Sequence, residues 1–354
     1  MKTRPSAAAM AAALCACGPA LAQSSVTLFG VADLALTLGR GSIADRTSLT
    51  SGSNSSSRIG LRGSEDLGGG MAASFWLEAH VNTDIGTGVP TSTNNQPSGT
   101  PASLGATQGL LFNRRSTVSL SGDWGELRLG RDYTPQFWNT VGSDPFANVG
   151  VGTSLISTLN ALGSSSSRAS NSIGYFLPRN LGGFYGQFQH FLGENLSNVA
   201  DDGTGTGVRL GFQRGPFDIA ASTTRVRFAS GNQRTSSIAA SWDFGVAKLF
   251  GQVQRDPVAG SAPDGRGHLV AVTVPFGVGQ WKAAYSRYET DAAGNPTSRK
   301  LALGYVHNLS KRTALYGTLA RVDNRGGATV ALGSASTAAN KGSSGLDLGL
   351  RHSF

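Results

Sequence analysis

Alternation of apolar and polar side chains over long segments is the feature that most constrains how this chain can fold. In residues 25–38, Leu34 and Leu36 share one parity while Asp33 and Thr37 share the other, and the pattern runs for fourteen residues. A period of two is typical of a strand with one apolar and one polar face, but globular strands usually end after about five or six residues. A tilted strand that crosses a membrane needs about 9–11 residues. The length of the pattern therefore favours a membrane barrel over a soluble sandwich.

The same pattern recurs along the chain and predicts about sixteen antiparallel strands. Five alternating segments precede residue 133, and eleven follow residue 169, at 170–177, 183–191, 206–214, 216–227, 235–243, 246–255, 267–274, 280–290, 298–308, 312–322 and 344–354. The connections alternate between short turns and longer polar loops, as in bacterial transmembrane barrels. Because a barrel of about 16–18 strands encloses an aqueous channel, we predict an all-β fold, a 16-stranded antiparallel transmembrane β-barrel.

One long segment, residues 132–169, interrupts this pattern. It has neither a sustained helical face nor clean alternation, and Ser, Gly, Asn and Pro punctuate it. A connection of this length without regular structure is uncommon in a compact domain unless it is functional. We therefore expect this segment to fold back into the barrel and to narrow the channel.

The N-terminus has the three parts of a secretory signal. Lys2 and Arg4 supply the basic region, residues 7–14 the apolar region, and residues 20–22 an A-x-A cleavage site. We therefore predict a signal peptide at 1–22 and a barrel domain at 23–354. No apolar run of 18 residues follows it, so no transmembrane helix is expected.

The charge and the cysteine content limit the partners and chemistry of the mature chain. Both cysteines, Cys15 and Cys17, lie in the predicted signal, so the mature protein would have no disulfide and a closed barrel would stabilise it instead. The formal charge is +9, and it falls to +7 when Lys2 and Arg4 are removed. For an exported protein this basic excess favours anionic solutes or lipid headgroups over nucleic acid.

Nothing in the sequence indicates an enzyme. There is no G-x-S-x-G motif and no P-loop. The histidines are scattered without metal-ligand spacing, at His80, His190, His268, His307 and His352. We therefore expect no catalytic site, no bound metal and no cofactor.

Several long motifs, in order along the chain, resemble one family. SVTLFGVADLAL, SRIGLRGSEDLGGG, FNRRSTVSLSGDWGELRLGRD, LGYVHNLSKRTALYG and the closing LGLRHSF are similar to sequences of the trimeric general porins of Gram-negative outer membranes. The similarity is strongest to the beta-proteobacterial branch, which includes anion-selective channels, and it spans the mature chain. It implies a homotrimer in contact with outer-membrane lipid and lipopolysaccharide, and a third extracellular loop folded inward as a constriction.

The resemblance also implies a set of constriction residues. The basic side would consist of Arg58, Arg114 and Arg168, and the acidic side of Glu78 and Asp144. For Arg58 the alternation agrees, because an arginine facing lipid at the midplane would cost about 2–4 kcal/mol. The local sequence DPFANVG carries a single carboxylate, so the acidic side is thin and anions are favoured.

The alternation and the resemblance disagree at one position. The parity of Val118 and Leu120 directs Arg115 into the lumen and Arg114 outward, so both arginines remain candidates for the pore lining. Arg62 and Arg128 also have inward parity, and we assign them to the vestibule, where their positive field would raise the local anion concentration.

These observations predict an outer-membrane porin. It would form a water-filled channel for passive diffusion of small hydrophilic solutes, with anions preferred. The alternative is a substrate-specific channel with a dedicated site for an organic anion or phosphate. A saturable conductance would distinguish that alternative from a general pore.

Overall fold

The computed structural model describes residues 25–91, 95, 111–159, 166–196, 202–229, 231–258 and 263–354. The predicted signal peptide, 1–22, lies outside the described residues. No helix within the described ranges is long and apolar enough to cross a membrane.

The described chain is built almost entirely of β-strands. Their bounds are β1 Ser25–Arg40, β2 Arg46–Ser51, β3 Arg58–Gly68, β4 Met71–Asn82, β5 Thr87–Gly88, β6 Arg115–Gly122, β7 Gly125–Tyr133, β8 Arg168–Phe176, β9 Phe184–Phe191, β10 Gly205–Arg214, β11 Phe217–Val226, β12 Gln233–Asp243, β13 Lys248–Asp256, β14 Gly265–Phe276, β15 Gly279–Thr290, β16 Thr297–Asn308, β17 Thr313–Arg325 and β18 Ser343–Ser353. Two short helices, α1 (Pro135–Ser143) and α2 (Leu155–Thr158), lie between β7 and β8.

Sixteen of these strands form one closed antiparallel wall, which confirms the predicted fold class. Each wall strand pairs with its neighbours in sequence, and β1 closes the ring by pairing with β18 from Val31↔Ser353 to Arg40↔Ser344. The eleven strands after the insert match the predicted ones, with ends that shift by three residues or fewer. Short turns cluster at one end of the barrel and long loops at the other.

The two remaining strands are short additions to the wall. The two-residue β5 pairs with the end of β4. The six-residue β2 lies in the connection between β1 and β3, and it pairs with the second half of β1 in line with β3. The residues between β2 and β3 turn into the lumen instead, where the Asp33 carboxylate accepts hydrogen bonds from the backbone N–H groups of Asn54 (3.1 Å) and Ser55 (2.7 Å).

The alternation in the sequence corresponds to the two faces of the wall. On β1, Leu28 and Leu36 are exposed on the outer surface, whereas Asp33 and Thr37 are buried on the inner one. An apolar outer surface and a polar inner surface are the arrangement of a barrel that stands in lipid and encloses water.

The insert between β7 and β8 lies inside the barrel, as predicted, although it contains helix. α1 begins where the Thr134 hydroxyl accepts a hydrogen bond from the Phe137 N–H (3.1 Å) and where Pro135 occupies the first turn. Its polar face bonds to the inner wall: Gln136 donates to Gln254 (2.7 Å), and Asn139 donates to the Ser237 hydroxyl (2.9 Å).

The tip of the insert is fastened to the opposite part of the wall. The backbone N–H of Val151 donates to Asp347 on β18 (2.8 Å), and the Lys300 ammonium on β16 donates to the carbonyl of Thr153 (2.5 Å). Beyond these contacts, Leu155 and Ile156 of α2 are fully buried against apolar residues of the inner wall. The insert therefore covers the lumen side of β10–β18 and leaves the channel open along β1, β3, β4, β6 and β8.

Candidate functional site

The open part of the lumen is a cavity of about 1340 Å³ between the insert and the wall, here called the constriction cavity. Six cationic side chains line it, namely Arg58, Arg62, Arg114, Arg115, Arg168 and Lys300. Among the described residues, two carboxylates line it, Glu78 and Asp347. The cationic side chains lie mainly on β3, β6 and β8, so the wall opposite the insert carries most of the positive charge.

Glu78 on β4 is the centre of the charged cluster on this wall. Its Oε1 atom accepts a hydrogen bond from Nε of Arg114 and lies 3.7 Å from Nε of Arg58. Its Oε2 atom accepts a hydrogen bond from the Trp76 indole (2.9 Å). Glu78 and Arg114 are both buried. A carboxylate with these partners holds two guanidinium groups in fixed positions and has its own charge neutralised.

Both Arg114 and Arg115 face the lumen, for different reasons. Arg115 is the first residue of β6, and its register partner is Glu78, so the two side chains share the inner face. Arg114 precedes the strand, and the alternation does not extend to it. Its backbone N–H bonds to the Glu78 carbonyl (3.1 Å), and its side chain turns inward to Glu78 and to the Tyr133 hydroxyl (2.9 Å). The strand begins at Arg115, so the alternation that predicted an outward Arg114 does not extend to that residue.

Arg168 completes the basic side through an aromatic platform at the start of the insert. Its guanidinium lies 4.6 Å from the ring centre of Tyr133 and 5.7 Å from that of Phe137. The Tyr133 hydroxyl accepts hydrogen bonds from Arg114 (2.9 Å) and from Arg168 (3.4 Å). Stacking on aromatic rings orients an arginine without neutralising its charge.

The structure places Asp144 away from the cavity, which corrects our expectation for the acidic side. Its carboxylate accepts hydrogen bonds from the backbone N–H groups of Phe146 (2.9 Å) and Ser154 (2.8 Å), and it is almost fully buried within the insert. Burial raises the pKa of Asp144 above its ordinary value, while these hydrogen bonds oppose the shift. Asp144 therefore fixes the fold of the insert, and Asp347 on β18 takes its place as the second carboxylate that lines the cavity.

The two arginines assigned to the vestibule have different surroundings. Arg62 lies over the rings of Phe29 (5.3 Å) and Trp76 (5.1 Å) at the edge of the constriction cavity. Arg128 lines a second cavity of about 700 Å³ on the side of the short turns. It is paired with Glu126 (2.9 Å) and Asp132 (2.7 Å), so its charge is largely compensated.

The insert presents a largely apolar surface to the arginines. Its cavity-lining residues include Phe137, Trp138, Val141, Ala147 and Val149. Sequence reasoning missed this apolar surface, and it also missed Tyr133, which connects two of the predicted arginines. The DYTPQFW sequence at the start of the insert, which is rich in aromatic residues, was the available signal. Among the described residues, no group of three or more His, Cys, Asp or Glu side chains could hold a metal ion.

A closed 16-stranded wall with an apolar exterior, an aqueous lumen and an internal loop defines a transmembrane β-barrel channel. Comparison with known proteins gives the family. The model for Gram-negative porins matches residues 6–327, and the chain belongs to this family.

Individual relatives cover nearly the whole chain. It is 35% identical to outer membrane porin protein 32 of Delftia acidovorans over 97% of this chain and 98% of that protein. It is 28% identical to an outer membrane porin protein of Bordetella pertussis over 87% of this chain and 91% of that protein. Among solved structures, the anion-selective porin from Comamonas acidovorans superimposes with a TM-score of 0.81 at 33% identity, covering 94% of this chain and all of that one.

The chain is therefore a porin of the Gram-negative outer membrane. Its barrel encloses a water-filled channel through which small hydrophilic solutes diffuse passively. The relatives reported above are channel proteins, not enzymes. In this setting the short turns face the periplasm, and the long loops, including the inward-folded third one, are extracellular.

Proposed function

We propose that this channel selects anions at its constriction cavity, and that Arg58, Arg114, Arg115 and Arg168 are the selecting residues. The observation that carries the proposal is the imbalance of charge, with six cationic side chains and two carboxylates lining one cavity. Rings of arginine or lysine are the usual means by which pores favour anions. The solved porin from Comamonas acidovorans, described as anion-selective, supports the same conclusion.

The local geometry explains why the two carboxylates do not cancel this field. Glu78 bonds to Arg114 and lies close to Arg58, so its charge is already countered. Asp347 accepts hydrogen bonds from Thr37 (2.7 Å) and from the Val151 N–H, which turns its carboxylate toward the anchored loop. Arg168 has aromatic neighbours and no carboxylate partner in the described part of the chain. A cation in the cavity would therefore be repelled, and an anion attracted.

The test is the zero-current potential of the purified protein in a planar bilayer under a KCl gradient. Wild type is expected to give a potential of the sign set by chloride. An Arg58→Ser/Arg114→Ser/Arg168→Ser variant is expected to lose most of this zero-current potential. Arg168→Ser alone leaves the Glu78 cluster intact and is expected to lose part of the potential. The matched control changes three exposed arginines on the outer surface, Arg214, Arg255 and Arg299, to serine, with the same change in formal charge.

The outcomes separate the alternatives. A cation-favouring wild type, or a control that loses selectivity as strongly as the luminal variant, would contradict the electrostatic assignment. A conductance that saturates as an organic anion or phosphate replaces chloride would instead favour the substrate-specific channel. A conductance that stays nearly linear with concentration supports a general pore.

We also propose that the protein is a homotrimer whose contacts lie on β17, β18, β1 and β3. Ring pairs on the outer surface occur on other strands, for example Phe184–Phe212 (4.9 Å) and Trp281–Tyr305 (4.7 Å). Aromatic girdles are typical of surfaces that face lipid. The outward positions of these four described strands carry no Phe, Tyr or Trp, and they are occupied mainly by Leu, Gly and polar residues; Phe354 follows the end of β18. A surface without a girdle is suited to contact a neighbouring protomer.

Native mass spectrometry in detergent tests this assignment. Leu348→Asn, on β18, is expected to shift the protein from trimer to monomer. Leu301→Asn, at an exposed outward position on β16, is the matched control and is expected to remain trimeric. A monomeric wild type, or two variants with the same mass, would contradict the assignment.

Sequencing the mature N-terminus tests the predicted cleavage of residues 1–22, and any start other than Gln23 would contradict that prediction.

A further inference from the structure

A row of arginines lies on the outer surface of the barrel at the extracellular ends of four consecutive strands. Arg225 on β11, Arg234 on β12, Arg255 on β13 and Arg266 on β14 all have the outward parity of their strands and are exposed. These four residues are called the arginine belt below. They lie on the opposite surface of the wall from the constriction cavity and take no part in it.

The strand register brings the belt residues next to one another. Arg225 is the direct partner of Arg234, and Arg255 is the direct partner of Arg266. Direct partners in an antiparallel pair have Cβ atoms about 4.5–5.5 Å apart, and like charges at such positions destabilise the sheet. Two such pairs side by side are therefore unfavourable unless something outside the chain neutralises them.

The chain itself provides no carboxylate for the belt among the described residues. No belt arginine forms an ion pair there, whereas other outward arginines do: Arg40 pairs with Asp45 (3.4 Å) and Arg321 with Asp323 (3.3 Å). Glu289 is the register partner of Arg266, but its carboxylate bonds to Arg287 at 2.5 Å instead.

The height of the belt on the barrel identifies what surrounds it. On β12, Trp242 of the periplasmic aromatic girdle is eight residues from Arg234, or about 26 Å along the strand. The tilt of the strand reduces this to a vertical distance of about 20 Å, close to the height of the lipid-facing apolar band. The residue between them, Ile238, is exposed and apolar. The belt therefore lies at the level of the headgroups of the outer leaflet.

We propose that the arginine belt binds the phosphate groups of the outer-leaflet glycolipid. Guanidinium groups bind phosphate oxygens through paired charge-assisted hydrogen bonds, and an anionic headgroup inserted between Arg225 and Arg234, or between Arg255 and Arg266, removes their mutual repulsion. The belt lies on strands that carry the aromatic girdle and away from the surface assigned to protomer contacts. This inference rests on the location of the barrel in the outer membrane and is independent of the selectivity of the pore.

The experiment measures binding of bisphosphorylated lipid A to the purified full-length mature protein by native mass spectrometry in detergent. Two double variants, Arg225→Gln/Arg234→Gln and Arg255→Gln/Arg266→Gln, each remove one opposed pair. Each is expected to weaken binding about tenfold or more. The Arg179→Gln/Arg214→Gln variant, which removes two exposed arginines at the periplasmic end of the barrel, has the same change in charge and is expected to bind as wild type does.

Further measurements identify the ligand and test whether the variants still form channels. Dephosphorylated lipid A is expected to bind all proteins weakly and equally, and inorganic phosphate is expected not to displace the lipid. Equal lipid A binding by wild type and both belt variants would overturn the proposal, as would an equal loss in the control variant. Displacement by inorganic phosphate would show a site for free phosphate and would also overturn it. The zero-current potential of the belt variants is expected to match wild type, so that a failure here is distinguishable from a failure of the anion-channel proposal.

Discussion

The two surfaces of the barrel wall hold their arginines in different ways. In the constriction cavity, Arg114 is buried and bonds to Glu78 and Tyr133, and Arg168 stacks on the Tyr133 ring. On the outer surface, Arg225 and Arg234 face each other with no ion pair in the described part of the chain. The inner arginines are oriented by the protein itself, and the outer ones are left available for an external anion.

The difference follows from what each surface must do. A selective pore needs positive charges at fixed positions, because a mobile side chain in a narrow cavity would block the path or pair with its neighbours. Buried hydrogen bonds supply that fixation. A surface at the level of lipid headgroups contacts a mobile ligand, so long flexible side chains without internal partners are suited to it.

The largest effect that this comparison predicts is on Glu78. Glu78→Gln leaves the buried Arg114 without its charge partner, and breaking a buried pair from one side costs about 3 kcal/mol or more. We expect the free energy of unfolding, measured by denaturant titration in detergent, to fall by about that amount. The anion preference in the bilayer should increase at the same time, because one negative charge has left the cavity.

The control is a carboxylate that pairs with an arginine on the outer surface. Asp323→Asn removes the partner of Arg321, where both side chains are largely exposed. Exposed ion pairs contribute about 0–1 kcal/mol, so this variant should unfold nearly as wild type does. Equal destabilisation by the two substitutions would show that the luminal pair is no more tightly held than an exposed one, and the contrast drawn here would be wrong.

The sequence was sufficient to predict the wall. Successive side chains of a strand point to opposite faces, and the apolar residues identify the face that contacts lipid. This rule assigns Leu28 and Leu36 to the lipid and Asp33 to the lumen, as observed. The same rule correctly assigned Arg58 and Arg115 to the inner face. The count of sixteen strands followed from the number of such segments.

The interior contacts could not be predicted in the same way, because they join residues that are distant in sequence. Arg114 lies just outside a strand, where parity no longer applies, and its inward direction depends on Glu78 thirty-six positions earlier. Asp144 has the charge expected of a pore-lining acid, but the turn after α1 directs its carboxylate to the backbone of the insert. The direction of each of these side chains is set by the tertiary fold.

A second and smaller effect concerns Tyr133, whose hydroxyl connects two luminal arginines. Tyr133→Phe keeps the ring under Arg168 and removes the hydrogen bonds to Arg114 and Arg168. We expect the free energy of unfolding to fall by about 1 kcal/mol, the usual net contribution of such a bond, with little change in selectivity because no charge is lost. Tyr305→Phe is the matched control, since its hydroxyl is exposed and bonds only weakly to the Phe276 carbonyl (3.4 Å). If Tyr133→Phe abolished selectivity, the orientation of the arginines would depend on the hydroxyl and not on the ring.

The smallest effect is expected where an outer arginine is changed from paired to unpaired. Glu289→Gln releases Arg287, which lies one strand from Arg266 and is half-exposed. Stability should change by less than about 1 kcal/mol, because the pair is accessible to solvent. If the absence of an internal partner is what makes an outer arginine available to lipid, the released Arg287 should extend the arginine belt and strengthen binding of bisphosphorylated lipid A about fivefold. Native mass spectrometry of this variant beside wild type measures the change. Unchanged lipid binding would mean that position along the wall, and not the lack of a carboxylate partner, determines which arginines contact the membrane.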